Sequence, residues 1–190
     1  MPNYRRAHAP GGAFFFTLVT HGRRPIFQTP ERVGLFREAT RRVKRERPFE
    51  IVGAVVLPDH VHFLWTLPPG DADFSRRIAR IKMEFTRSLG ARSSRTLGES
   101  SRRDRRESDV WQRRFWEHTI RDERDFEQHL NYVHYNPVKH GHATCPHAWP
   151  FSSFCEWVHR GAYEAEWGCQ CRRRDFKLPD APAGAAEWDP

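Results

Sequence analysis

The chain has 190 residues, 38% of them apolar, which supplies one ordinary core and argues against two; no stretch approaches the roughly 18 uninterrupted apolar residues of a membrane span. The N-terminus, MPNYRRAHAPGG, lacks the apolar segment of a secretory signal, so a cytoplasmic protein without a membrane partner is expected. With 32 Lys plus Arg against 24 acidic residues the formal charge is +8, and arginine, whose planar fork suits phosphate, dominates it; a polyanionic partner fits, although charge alone specifies none.

In chain order, Ala13 to Thr20 (AFFFTLVT) is rich in aromatic and β-branched residues and follows Gly11-Gly12, which predicts a buried first strand. Thr29-Pro30-Glu31 offers an N-cap with proline at the first helical position, opening a helix with Val33, Phe36, Ala39 and Val43 on one face that Pro48 stops. Phe49 to Leu57 reads as a second strand and His60 to Leu67 as a third, and the Pro58-Asp59 break between them predicts an antiparallel hairpin. A second helix is expected over about 73–89, with Phe74, Ile78, Ile81 and Phe85 at helical spacing and a basic opposite face. Residues 91–109 carry many charges and almost nothing to bury, and are read as a mobile loop.

A fourth strand is expected over about 110–120, then a third helix capped by Asp122 and running to about Asn136, then a short fourth helix in Phe154-Cys155-Glu156-Trp157-Val158-His159-Arg160. The order β-α-β-β-α-β-α predicts an α+β fold, an antiparallel sheet with packed helices of the ferredoxin-like sort. Residues 1–167 form the expected domain. Residues 168–190, first basic and then Pro/Ala-rich, are read as a tail with little fixed structure. Cys145, Cys155, Cys169 and Cys171 contain no CxxC pair, so a zinc module is not expected and the thiols are taken as free; a local Cys169–Cys171 disulfide or a soft-metal site is the alternative.

Alternation on the third strand sends His60 and His62 to one face, where both imidazoles can address one ion. By itself such a pair is weak. On the third helix, with Phe126 at zero and about 100° per residue, Leu130 and Val133 fall near roughly 40° and 340° and define the buried stripe, while Tyr132 and Asn136 fall together near roughly 240° and 280°. Tyr135 points away and His134 lies on the opposite border. If this helix covers the histidine face, a phenol and an amide hang over two imidazoles. Two histidines and an amide oxygen with open positions suit Mg²⁺ or Mn²⁺, a cation could polarise a phosphodiester, and Tyr132 could attack it to form a phosphotyrosine. A helix edge that simply packs and ends in a turn before Pro137 would show the same residues.

The strings Leu57-Pro58-Asp59-His60-Val61-His62 and Tyr132-Val133-His134-Tyr135-Asn136-Pro137-Val138-Lys139-His140-Gly141 resemble the signatures of the REP-associated tyrosine transposases, single-tyrosine members of the HUH transposases. Tyr4-Arg5-Arg6, Arg47-Pro48-Phe49-Glu50 and Phe115-Trp116-Glu117-His118 extend the likeness over about residues 4–163. The resemblance implies an HUH endonuclease fold and a metal-dependent enzyme that recognises a repeated extragenic palindrome. It would cut that DNA as a single strand and leave a 5′-phosphotyrosine and a free 3′-hydroxyl. It implies His60 and His62 as metal ligands, Asn136 as their partner at the metal and Tyr132 as nucleophile. Arg5, Arg6, Arg113, Arg114 and Lys139, near these segments, are candidate phosphate contacts in a monomer or homodimer bound to hairpin DNA. A hairpin-binding protein that does not cut, or a hydrolase that uses metal-bound water without Tyr132, are the competing expectations.

Overall fold

The computed structural model describes residues 9–90 and 110–171. Arg5, Arg6, the loop expected at 91–109 and residues 172–190 lie outside the described residues. No helix among the described residues is long and apolar enough to cross a membrane.

Strands β1 (Ala13–Val19), β2 (Glu50–Val56), β3 (His60–Thr66) and β4 (Trp116–Thr119) form one sheet in the order β2-β3-β1-β4, with each neighbouring pair antiparallel. Strand alternation divides their side chains between two cores. Phe14, Phe16, Leu18, Val61, Phe63 and Trp65 pack with the apolar residues of α1 (Pro30–Glu46) and α2 (Phe74–Ser88). Phe15, Val55 and Leu64 pack on the other face with Leu130, Tyr132 and Val133 of α3 (Glu123–Lys139). The fold is therefore the expected α+β sandwich, with helices covering both faces.

Local chemistry explains the element ends. The Thr29 hydroxyl accepts from the Arg32 N–H at the start of α1, and Asp73 accepts from the Arg76 N–H at the start of α2. Arg77 departs from the basic outer face expected of α2: it is buried and donates to Asp71 and to the Arg47 and Pro48 carbonyls, tying the end of α1 to the start of α2. The β2–β3 hairpin closes at Pro58-Asp59, where the Leu57 N–H donates to the His60 carbonyl at 2.9 Å.

Three expectations need correction. The fourth strand covers only Trp116–Thr119, not 110–120. Trp111 pairs with Thr20 and Trp116 with Thr17, so this side of the ladder carries two residues more than regular pairing accommodates. The excursion lets Trp111 and Phe115 fill the α1/α2 core while Trp116 packs against Phe15 on the opposite face, and it leaves Arg113 and Arg114 exposed. The third helix also passes Asn136 and ends at Lys139 with Pro137 inside it. Gly141, at φ 69°, then permits the His142 N–H to reach the Pro137 carbonyl at 2.8 Å and the Gly141 N–H to reach that of Val138 at 3.0 Å, a Schellman cap. Finally, Cys145 and Cys169, expected as free thiols, are joined in a disulfide. Gly168 and Cys169 are buried, so the packed part of the chain extends into the segment read as tail.

Close approach of α3 to the sheet depends on Gly53. A Cβ there would stand 2.9 Å from the Leu130 methyl, at a register shift between Ile51 and Gly53. Gly53→Val should lower stability by about 1–3 kcal/mol through overpacking, read as a shifted denaturant midpoint.

The far side of α3 is held by Ser153, the N-cap residue of α4 (Phe154–His159). Its hydroxyl accepts from the Ala54 N–H at 2.9 Å and meets His134 Nε2 at 2.8 Å. Burial pushes the His134 imidazole down from 6.5 to about 3. Between those values the unfolded chain takes up a proton that the folded chain refuses, so stability is lost as pH falls through this window, by on the order of a few kcal/mol. Thermal midpoints measured from pH 7 to pH 4 should fall, and His134→Gln should flatten the dependence.

Candidate active site and nucleic-acid face

His60 and His62 lie on the α3 side of β3, paired across to Val19 and Thr17 of β1. Both are buried, with ring centroids 4.9 Å apart. A hydrogen bond occupies Nδ1 of each: His60 with the Asp59 carboxylate at 2.6 Å, His62 with the Thr17 hydroxyl at 3.0 Å. These contacts fix the ring planes and leave Nε2 as the nitrogen available to a ligand. Burial alone would raise the Asp59 carboxyl, but the His60 hydrogen bond, with the Arg23 guanidinium at 3.0 Å, holds it down to about 2. Arg23 reaches it from a tight turn with positive φ at both Gly22 and Arg23.

Helix α3 crosses this pair with a ridge of residues one turn apart. Tyr132 meets His62 with ring centroids 5.3 Å apart, and His140, two turns later, meets His60 at 5.2 Å. Asn136 stands between them on the same ridge, 1% exposed. The structure thus brings together Tyr132, His60, His62 and Asn136. Among the described residues, neither amide atom of Asn136 nor Nε2 of His60 has a hydrogen-bond partner, an unusual condition for buried polar groups and one a bound ion would relieve. Two imidazole nitrogens and an amide oxygen fit a divalent cation with mixed nitrogen and oxygen ligands.

Lys139 is exposed and carries its ammonium 5.0 Å over the Tyr132 ring. Arg113 and Arg114 stand at the end of the sheet where β1 finishes and β3 begins, the same end as His60. The Tyr132 side chain is only 3% exposed. Tyr135, expected to point away from the sheet, does so without reaching solvent: it lies under Trp167 and Gly168.

Sequence reasoning passed over two contributors. His140 lies inside the signature string but received no role; its position follows from the Schellman cap, which a helix ended at Asn136 could not provide. The other is the group formed by His118 on β4 with Asp125 and His129 on α3. His118 Nε2 donates to Asp125 at 2.8 Å, as do the Arg121 backbone at 2.9 Å and guanidinium at 3.1 Å. Burial would raise the Asp125 carboxyl, yet these donors hold it well below the usual carboxylate range. His129 is pushed down to about 4, chiefly by burial. The group anchors the first turn of α3 on the sheet edge, which sets where Tyr132 falls two turns on.

Comparison with known proteins identifies the family. The family model for IS200-like transposases matches residues 13–136. A REP-associated tyrosine transposase of Escherichia coli (strain K12) is 42% identical over 88% of this chain and 91% of its own length. A Haemophilus influenzae protein assigned to the same group is 44% identical over 88% of this chain and 94% of its own. Among solved structures, a REP-associated tyrosine transposase bound to a REP hairpin covers 95% of this chain and 98% of its own, at 40% identity and a TM-score of 0.76.

Proposed function

The chain belongs to the REP-associated tyrosine transposases, within the IS200-like transposase family, and on that premise we propose that it nicks and rejoins single-stranded DNA beside a palindromic hairpin through Tyr132. The observation that carries the proposal is the meeting of Tyr132 with His62, 5.3 Å between ring centroids, in a row that continues through Asn136. The hairpin is carried over from the solved relative, which was captured on one.

In this mechanism the Tyr132 oxygen forms a bond to the scissile phosphorus, the bond from phosphorus to the 3′-oxygen breaks, and the phenol proton leaves as the 3′-hydroxyl gains one. Reversal by a 3′-hydroxyl rejoins the strand. Lys139 places positive charge beside the ring where the phenolate and phosphate oxygens gather. His60 and His62 through Nε2, with the Asn136 amide oxygen, would hold the divalent ion, and His140 offers a further imidazole. When bound, such an ion polarises the phosphate and offsets the charge of the transition state. Imidazole ligands favour Mn²⁺ over Mg²⁺, which prefers an oxygen shell. Asp59 and Thr17 act through the histidines, holding each ring with Nε2 forward.

Phosphate contacts fall to Arg113, Arg114 and Lys139, with Arg5 and Arg6 as further candidates. Arg113→Ala and Arg114→Ala should each weaken hairpin binding and reduce the slope of log affinity against log salt by about 1. A flat salt response in the parent protein would remove the electrostatic part of the proposal.

The burial of Tyr132 favours one alternative, a protein that binds hairpins without cutting them. Incubation of an end-labelled hairpin oligonucleotide with a single-stranded flank decides between them. Strand transfer requires Mn²⁺-dependent cleavage in the flank, blocked by EDTA and absent from the fully duplex control. Binding with an intact strand in Mn²⁺ would establish the alternative, and cleavage surviving in Tyr132→Phe would establish a hydrolase.

A further inference from the structure

Four soft donors that the reaction does not use converge after α3. Cys145 and His147 flank Pro146 at the start of the 3-10 turn Pro146–Ala148, and Cys169 and Cys171 flank Gln170 in the segment that returns beside it. The ligand atoms of Cys145, His147 and Cys169 all lie within 4.8 Å of one another. Cys171 joins them, its sulfur 3.5 Å from that of Cys145, while the Cys169 sulfur is 3.8 Å from His147 Nδ1. The backbone holds the two pairs side by side: the Gln170 N–H donates to the Thr144 carbonyl at 2.9 Å.

The Cys145–Cys169 disulfide uses two of these donors and gives no reason for the other two to be present. A tetrahedral zinc ion does. With Zn–S bonds of about 2.3 Å and a Zn–N bond of about 2.0–2.1 Å, sulfurs on one zinc stand roughly 3.7 Å apart and a sulfur and a nitrogen roughly 3.6 Å apart. The Cys145–Cys171 and Cys169–His147 separations are close to those values.

We propose that the reduced chain binds one Zn²⁺ through Cys145, His147, Cys169 and Cys171, as a closed structural site separate from the His60/His62 centre. Reduction of the disulfide by a cellular dithiol transfers two electrons and two protons to Cys145 and Cys169, the dithiol itself becoming a disulfide. The three thiols then release their protons to solvent as they ligate. His147 coordinates through Nδ1, which gives up the hydrogen bond it donates to the Ala165 carbonyl at 2.9 Å in the disulfide form as the ring proton moves to Nε2. The clip ties the chain leaving α3 to the segment that covers Tyr135. Gly168 at φ 70° lets this segment lie so close that a Cβ there would stand 3.0 Å from the Tyr135 ring. The zinc therefore buttresses the C-terminal half of the helix that carries Tyr132 and Asn136.

The test uses the full chain purified under a dithiol reductant, in parent form and in a His60→Ala/His62→Ala background that cannot take metal at the imidazole pair. The double variant should contain one equivalent of zinc and the parent at least one. The Co²⁺-loaded chain should show tetrahedral visible bands with a thiolate-to-cobalt charge-transfer band, which the imidazole pair cannot produce. Cys171→Ser and His147→Ala, both at exposed positions, should leave the fold intact and weaken zinc binding at least about tenfold. Folded, reduced protein that lacks the charge-transfer band overturns the proposal, as does a zinc content unaffected by both substitutions. A thermal midpoint that rises on oxidation but ignores zinc would assign the cluster to the disulfide alone and overturn it equally.

Discussion

Tyr132→Phe should abolish the covalent protein–DNA adduct and lower strand cleavage at least about 10³-fold, while hairpin affinity changes no more than a few-fold. The expectation rests on what the substitution keeps. The Phe ring retains the contacts that Tyr132 makes with Phe15, at 5.9 Å between centroids, and with His62 at 5.3 Å. Loss of one hydroxyl costs about 1 kcal/mol of stability. In the proposed mechanism the hairpin phosphates are held by Arg113, Arg114 and Lys139, none of which is altered. A denaturing gel with labelled oligonucleotide reads the adduct, and a filter-binding titration reads the affinity.

His62→Asn and His60→Asn should each reduce Mn²⁺-dependent cleavage at least about 100-fold, with the loss not restored by more metal. Asparagine keeps a polar group on a buried position, so the unfolding midpoint should fall less than it would for alanine. The two variants differ in their surroundings. His62 packs against Phe15 and Tyr132, so its replacement disturbs both the proposed ion site and the proposed nucleophile. His60 sits between Asp59 and His140, and its replacement strikes the proposed ion site alone. His62→Asn is therefore expected to be the more severe of the pair. Equal activity of either variant and the parent in Mn²⁺ would remove the metal from the mechanism.

The strands and helices that build the site were legible because their signals are local. Alternation put His60 and His62 on one face, Thr29-Pro30 marked a helix start, and helical spacing set Tyr132 beside Asn136. What escaped depended on distant partners. The fourth strand is expected too long because Val110, Trp111 and Phe115 favour a strand on either side of Gln112-Arg113-Arg114, and only the filled core beneath Trp111 explains the excursion between them. Pro137 suggests a helix end, but proline in a last turn forfeits one hydrogen bond, and the helix runs three residues past the expected stop to Lys139 before Gly141 supplies the cap. The role of His140 was hidden for the same reason. The cysteines were set aside because no CxxC pair is present, and Cys-x-His and Cys-x-Cys become a set of four only when the fold brings residues 145 and 169 together.

The most direct measurement locates the covalent bond. Adduct formed with Mn²⁺ and a hairpin oligonucleotide, digested with nuclease and protease, should give a peptide bearing a nucleotide on Tyr132, with Tyr135 in the same peptide unmodified. Nucleotide found on Tyr135, or on any residue other than Tyr132, would contradict the account.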